Sequence, residues 1–279
     1  MITREATIED WARLFAFFKK IYRENHPLHK KEFWEWQYGN PKFGRSFICL
    51  NEQEDIVGHV GANFQGGLAW IINVYLEKEC RGKGVLGELY ARARKYYPLA
   101  ATAANEAGLG LYRNMRWIRY HDLVRYVKVN PFLKSKSFKS VCKEVKVDYN
   151  HLIDTSTSTH YFEQPGLLGL KFEDESLATS QENLGGLRAV KIADINVFEE
   201  TAWSLGYNWI DYITSWNDLK IKGLIKNDWT LDFKNVVPWR LNPLEENYFS
   251  DITFLSEKPL DNEFVVCRNF SDHGRVGSL

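Results

Sequence analysis

A glycine turn carries most of the recognisable chemistry in this sequence. Arg81-Gly82-Lys83-Gly84 follows an apolar run that ends at Leu76, and an amphipathic segment begins directly after it. Glycines let a backbone fold tightly and bring its N–H groups close to a ligand. The first N–H groups of a helix have no partners within the helix, and the helix dipole makes this end positive. The turn therefore predicts a site for a phosphate or pyrophosphate group.

The elements around this turn have the periodicities of an α+β domain. Ile8 to Tyr22 places apolar residues at helical spacing, which predicts an amphipathic helix. A short helix is expected from Lys30 to Tyr38, and Leu68 to Leu76 is a predicted strand. Two more predicted strands precede it with short polar turns, which is typical of an antiparallel meander.

Two common phosphate sites do not fit the turn. A Rossmann site needs a GxGxxG spacing with an acid about 20 residues further on, and a P-loop needs GKS or GKT after a longer loop. Neither pattern is present around residues 81–87. The antiparallel strands before the turn also argue against a doubly wound parallel sheet.

Composition excludes several classes of protein. The chain has 279 residues with 36 Lys+Arg and 36 Asp+Glu, so it lacks the basic excess of a nonspecific nucleic-acid or membrane-surface binder. No apolar run approaches the roughly 18 residues that cross a bilayer. The N-terminus does not resemble a signal peptide. Four scattered cysteines predict free thiols, no metal site and a cytoplasmic location.

The second half repeats the order of elements in the first. Asp122 to Asn130 alternates apolar and polar residues as a half-buried strand does, and a segment rich in Lys and Ser follows. We therefore expect two domains, residues 1–135 and 136–279. After an irregular start, the second shows strand, helix, strand, helix and strand, an order that echoes residues 68–130 and indicates a diverged internal repeat.

A second motif follows the turn at a fixed distance. Asn105 precedes a small-residue turn, then Leu111-Tyr112, and Arg116-Trp117 closes the segment. The two motifs together resemble the GNAT superfamily of acyl-CoA N-acetyltransferases, over residues 1 to about 130. The sixth position of the turn departs from the family pattern, because it is Leu86 with Gly87 following. The expected fold is α+β, with two GNAT-like halves that are each a mixed, mostly antiparallel sheet flanked by helices.

The resemblance implies a site for acetyl-CoA as cosubstrate, without a metal. The strand that ends at Leu76 and the strand from Leu99 to Ala104 would splay apart around the pantetheine arm, and a backbone N–H near Val74 would polarise the thioester carbonyl. Tyr112 would donate a proton to the departing thiolate. The residues implied in cofactor binding are Val74, Tyr75, Leu76, Arg81, Gly82, Lys83, Gly84, Val85, Leu86, Gly87 and Asn105.

The general base has one main candidate. A neutral amine attacks directly in this family, so a base or a water chain must take its proton. Glu77 lies at the strand end nearest the reaction, although it could equally be a solvated turn carboxylate.

The acceptor site is expected from aromatic and histidine residues. The segment from Trp34 to Pro41 looks similar to one in tandem acetyltransferases found with bacterial surface-polysaccharide genes, which suggests an amino sugar, either free or nucleotide-linked. Trp34 and Trp36 could stack on a sugar ring, with core packing as the alternative. His59 could face the cleft or be structural. His273, with Asp272 and Arg275, could reach the site or belong to a frayed terminus.

Only one active site is expected. The second half has no Arg-Gly-x-Gly turn, and Asp194, Glu199 and Glu200 lie where an anion would need donors. We expect this half not to bind CoA and to shape the substrate cleft. The function expected is acetyl transfer to a primary amine of a small molecule. Alternatives are an aminoglycoside-type or protein-amine acetyltransferase and a non-catalytic CoA-binding module. The oligomeric state stays open between monomer and dimer.

Overall fold

A computed structural model describes residues 1–103, 106–146, 153–154, 160–232, 252–266 and 270. The chain divides into two units. The first contains Met1–Tyr120 and Thr253–Leu260, and the second contains His121–Ile252 and Asp261–Asn269. The division after Tyr120 differs from the boundary expected near residue 135, because the strand that follows residue 122 belongs to the sheet of the second unit.

The first unit is built on a seven-stranded sheet. In spatial order its strands are β1 (Ile2–Glu5), β2 (Gly44–Leu50), β3 (Ile56–Gln65), β4 (Leu68–Leu76), β5 (Leu99–Ala103), β14 (Thr253–Ser256) and β6 (Ile118–Asp122). β4 and β5 are parallel, whereas β1–β2, β2–β3, β3–β4 and β5–β14 are antiparallel. The predicted meander and the mixed, mostly antiparallel sheet are confirmed.

Helices cover both faces of this sheet. They are α1 (Trp11–Ile21), α2 (Lys31–Trp34) with a π-helical turn (Glu35–Gly39), α3 (Val85–Ala93) and α4 (Glu106–Asn114). One core contains Leu14, Phe18 and Trp34 from α1 and α2, packed with Ile48 and Ile72 of the sheet. A second core on residues of the same strands holds α3 and α4, so the turn before α3 is anchored to a packed helix.

The second unit has a sheet of the same order. Its strands are β8 (Ile153–Asp154), β9 (Gly169–Lys171), β10 (Leu177–Gln181), β11 (Gly186–Lys191), β12 (Trp209–Thr214), β7 (Val124–Val129) and β13 (Thr230–Leu231). The helices are α5 (Phe138–Val141), α6 (Ile195–Ser204) and α7 (Lys220–Lys226). β11 and β12 are parallel, as β4 and β5 are, and the other defined pairs are antiparallel. The predicted repeat of element order is present.

The two sheets exchange one strand. The strand beside β5 is β14, which comes from the far end of the chain, while the strand beside β12 is β7, which directly follows β6 in sequence. The predicted strand from Asp122 to Asn130 is present as β7, which begins at Val124, whereas Asp122 is the last residue of β6 in the other sheet. Alternation could not reveal which sheet β7 joins, because it describes the faces of a strand and not its neighbours.

Candidate acetyl-CoA site

The glycine turn has the backbone that its residues predict. Gly82 and Gly84 have φ values of 75° and 79°, and Gly84 is the residue that caps α3. A Cβ atom at either glycine would meet nothing within 4 Å. The left-handed conformation, rather than crowding, is therefore what favours glycine here. Arg81 is held beside the turn because its Nε donates to the Leu76 carbonyl oxygen at 3.1 Å.

A cavity of about 770 Å³ opens beside this turn. Its walls contain most of the residues expected to bind the cofactor, together with Tyr112; they are Val74, Tyr75, Leu76, Arg81, Gly82, Gly84, Val85, Leu86 and Gly87. Lys83 is exposed and is not part of this wall, and Asn105 lies outside the described residues. The wall also contains Cys80, Ala107, Gly108 and Leu111, which were not singled out, although the last three belong to the second motif.

The cavity lies where β4 leaves its parallel neighbour. The two strands pair from Ala69–Leu99 to Ile71–Ala101, and the register between β3 and β4 then shifts at a bulge. Asn73 lies in the bulge with a φ of 51°. A bulge bends its strand and ends regular pairing, so the last residues of β4 turn toward the cavity.

Tyr112 projects from α4 into the same cavity. Its ring stacks on Trp117 with centroids 4.6 Å apart, and the residue is 5% exposed. Burial, with the neighbouring Tyr112 as a smaller cause, raises the pKa of the Tyr90 phenol well above its usual range. The Tyr90 phenol is therefore protonated at neutral pH.

Residues 9–115 match the sequence model of the acetyltransferase (GNAT) family. This chain carries a GNAT acetyltransferase domain. Enzymes of this family are acetyl-CoA-dependent N-acetyltransferases, and acetyl-CoA is the cosubstrate. The geometry fits this cosubstrate, because a helix N-terminus and two left-handed glycines border a cavity large enough for an extended ligand.

One solved structure shares the fold over most of the chain. An acetyltransferase candidate from Pyrococcus horikoshii aligns with a TM-score of 0.53 and 17% identity over 92% of this chain and 89% of that one. A Brucella melitensis ribosomal-protein-alanine N-acetyltransferase is 23% identical over 44% of this chain and 88% of its own, with a TM-score of 0.36. A GNAT acetyltransferase of Staphylococcus aureus Mu50 is 16% identical over 43% and 85%, also with a TM-score of 0.36. No protein with a curated description matches the sequence.

Glu77 is not among the residues that line the cavity beside the glycine turn. Its Oε1 lies 2.6 Å from the Lys20 Nζ of α1. The pair borders a separate cavity of about 270 Å³ between α1 and the β2–β3 turn. The hydrogen bond to Glu77 is the main cause that raises the Lys20 pKa. The structure thus brings Tyr112 to the cofactor cavity and gives Glu77 a cationic partner elsewhere.

Of the four residues expected to contact an acceptor, two are buried, one is partly buried and one lies outside the described residues. Trp34 is 2% exposed and belongs to the core of α1 and α2, and His59 is fully buried. Trp36 is partly buried, with its ring 5.3 Å from that of Phe33. An acceptor could reach Trp34 or His59 only if the core opened, because Trp34 is packed within the core and His59 is buried with both ring nitrogens in hydrogen bonds. His273, like Asp272 and Arg275, lies outside the described residues.

In the second unit, a side chain already caps the helix start that corresponds to the glycine turn. The α6 helix follows β11 as α3 follows β4, and its cap is Asp194. The Asp194 carboxylate accepts from the N–H groups of Asn196 and Val197 at 2.8 and 3.1 Å. These are the donors that a phosphate would need, so the protein's own anion already occupies them.

Among the described residues, no group of three or more His, Cys, Asp or Glu side chains is arranged to hold a metal ion. Within the same residues, no helix has the length and apolarity needed to cross a bilayer.

Proposed function

We propose that this protein transfers the acetyl group of acetyl-CoA to a primary amine of a small molecule, by direct attack of the amine. The observation that carries the proposal is that the turn, the start of α3 and Tyr112 border one cavity. Backbone N–H groups from Gly82 to Gly87 hold the pyrophosphate, and the end of β4 lies along the pantetheine arm. When bound, acetyl-CoA supplies the activated acetyl thioester.

Tyr112 is the proposed general acid. The amine nitrogen forms a bond to the carbonyl carbon, the carbon–sulfur bond breaks, and the Tyr112 hydroxyl proton goes to the sulfur. The amine loses one proton to a base, and Tyr112 regains a proton from solvent. Backbone N–H groups near Val74 stabilise the negative charge on the carbonyl oxygen.

The proton from the amine has two proposed destinations, Glu77 and a water chain. The ion pair with Lys20 holds the Glu77 carboxylate away from the cofactor cavity, so we favour water. Replacement Glu77→Gln should then lower kcat less than tenfold. A loss of about 10²- to 10⁴-fold, typical of a removed general base, would instead assign the role to Glu77.

The acceptor we propose is an amino sugar, free or nucleotide-linked, and a cytoplasmic location stays a prediction. The support is the resemblance of Trp34 to Pro41 to segments of tandem acetyltransferases associated with surface polysaccharides. Because Trp34 is buried, sugar stacking would depend on Trp36 and on other residues of the cleft. Mass spectrometry of products from amino sugars, aminoglycosides and peptide amines would distinguish these acceptors.

The central test compares Tyr112→Phe with Tyr97→Phe, whose phenol is exposed on the same unit. Thiol release from acetyl-CoA should fall about 10²- to 10⁴-fold in Tyr112→Phe with little change in acetyl-CoA affinity, and Tyr97→Phe should match wild type. Equal rates in the two variants would remove Tyr112 from the mechanism. Binding of acetyl-CoA without turnover on any amine would identify a non-catalytic CoA-binding module.

A further inference from the structure

The bulge in β4 contains a residue in an unusual backbone conformation, which neighbouring groups must stabilise. Gly61 of β3 faces Ile72, but His59 faces Tyr75, so one extra residue of β4 is inserted between these pairs. Asn73 has a φ of 51°, and non-glycine residues rarely adopt this left-handed region. Such a conformation persists only where neighbouring groups determine it.

His59 holds the main chain of the bulge from the neighbouring strand. Its Nδ1 lies 2.8 Å from the Asn73 carbonyl oxygen, and its Nε2 lies 2.8 Å from the Ser46 hydroxyl. A carbonyl oxygen can only accept, so Nδ1 carries the hydrogen and Nε2 accepts from Ser46. The neutral imidazole satisfies both partners, and the side chain is fully buried.

Tyr38 holds the side chain of the same residue. The Asn73 Nδ2 donates to the Tyr38 hydroxyl at 2.8 Å. Tyr38 can reach it only because Gly61 lacks a side chain, since a Cβ there would lie 2.1 Å from the Tyr38 hydroxyl oxygen. Main chain and side chain of Asn73 are thus fixed by separate residues, which we call the bulge clamp, namely His59 and Tyr38.

We propose that the bulge clamp positions the backbone N–H groups of Val74–Leu76 toward the thioester carbonyl, and that His59 and Tyr38 are positioning residues for the acetyl transfer. This inference rests on the proposed function. The residues held by the clamp lead directly into Val74–Leu76 on the cavity wall. A rotation of the Asn73 peptide would redirect these N–H groups, and donors fixed before reaction are the ones that stabilise developing charge.

Two substitutions at one position test this on the full-length chain. In His59→Asn the amide nitrogen can occupy the place of Nδ1 and donate to the Asn73 carbonyl, whereas in His59→Gln the polar atoms lie nearer the place of Nε2. Ser46→Ala is the matched control, because it removes the other partner of the imidazole and leaves the bond to Asn73. Tyr38→Phe removes the second arm of the clamp and keeps the ring.

The first readout is the ratio of the Kd for CoA to the Kd for acetyl-CoA, measured by calorimetry, because only acetyl-CoA presents the carbonyl. His59→Gln and Tyr38→Phe should lower this ratio about fivefold, the effect of one lost hydrogen bond, and lower kcat more than the acetyl-CoA KM changes. His59→Asn should stay within about twofold of wild type. Ser46→Ala should lower Tm without changing the ratio.

The second readout is amide hydrogen exchange at Val74–Leu76, which needs no ligand. It should be at least about tenfold faster in His59→Gln than in His59→Asn. Equal exchange rates and equal ratios in these two variants would overturn the clamp. If wild type binds neither CoA nor acetyl-CoA, the proposed function fails, and the exchange comparison alone decides whether the clamp holds the bulge.

Discussion

The turn before α3 allows a sharp test through Gly84→Ala. Gly84 has a φ of 79°, and a Cβ there would meet nothing within 4 Å. The substitution therefore adds no clash and acts only through the backbone. Holding an L-residue in the left-handed region costs about 1–2 kcal/mol.

The exposure of the turn decides whether this cost lowers the stability of the free protein or its affinity for acetyl-CoA. Residues 81–84 are all exposed, so few contacts force the turn to keep its shape in the free protein. We expect the variant turn to relax in the free protein. The conformational cost then lowers the affinity, because the turn must return to the left-handed conformation to bind the pyrophosphate. A cost of about 1–2 kcal/mol corresponds to a Kd for acetyl-CoA that is roughly 5- to 30-fold higher, with little change in Tm.

The assay is calorimetric titration with acetyl-CoA, with Gly110→Ala as the control. Gly110 lies within α4, has no positive φ, and also has open space around a Cβ. Its replacement should stabilise the helix by about 0.5–1 kcal/mol and leave the affinity unchanged. An unchanged affinity in Gly84→Ala would refute the argument that the left-handed turn holds the cosubstrate.

Three further outcomes follow from the buried charges and caps. Asp194→Ala should lower the free energy of unfolding by about 1 kcal/mol, the usual cost of a lost helix cap, as measured by denaturant titration. Burial lowers the His59 pKa to about 4 from 6.5, so the folded state favours the neutral imidazole. As pH falls from 6.5 to 4, the unfolded chain binds a proton that the folded protein does not, and about 3 kcal/mol of stability should be lost. Thermal unfolding of His59→Gln across this window should show a flatter profile, and an unchanged profile would contradict the assignment. Arg125→Met should cost about 3–5 kcal/mol, because Arg125 and its partner Asp211 are 0% and 1% exposed; a cost under about 1 kcal/mol in denaturant titration would show that the pair is not needed.

The backbone of the glycine turn was predictable because its information is local. Glycines at Gly82 and Gly84, basic neighbours and an amphipathic segment all fall within a few residues, and each has its own physical reason. The same holds for Tyr112, which a second local motif places at a fixed distance. The structure brings Arg81, the two glycines and Tyr112 to one cavity.

Contacts between distant segments were not predictable in this way. The bulge at Asn73 depends on residues of the π-helical turn, β2 and β3, and a single Asn within an apolar strand was its sign in the sequence. The pairing of Glu77 with Lys20 joins residues on separate elements. Neither composition nor periodicity contains the distances that decide whether a carboxylate meets a lysine or a substrate.

The strands of the second unit show a further limit. β9 and β10 are short, and their sequences lack the alternation that marks a half-buried strand, so neither strand was predicted. The α7 helix begins at Lys220, and the Asp218 carboxylate accepts from the Lys220 N–H at 2.9 Å.

The exchanged strands have a consequence for biosynthesis. A ribosome delivers all of β1 to β6 long before it delivers β14, so the sheet that carries the proposed acetyl-CoA site must wait with its β5 edge open. An open edge is where chains misassociate, and folding during synthesis usually proceeds one N-terminal domain at a time. Here the catalytic sheet can close only after residue 256 has emerged. A nascent chain stalled before that point should still expose the edge to chaperones, and a gene fragment that ends at residue 135 should yield an aggregating product rather than a minimal enzyme.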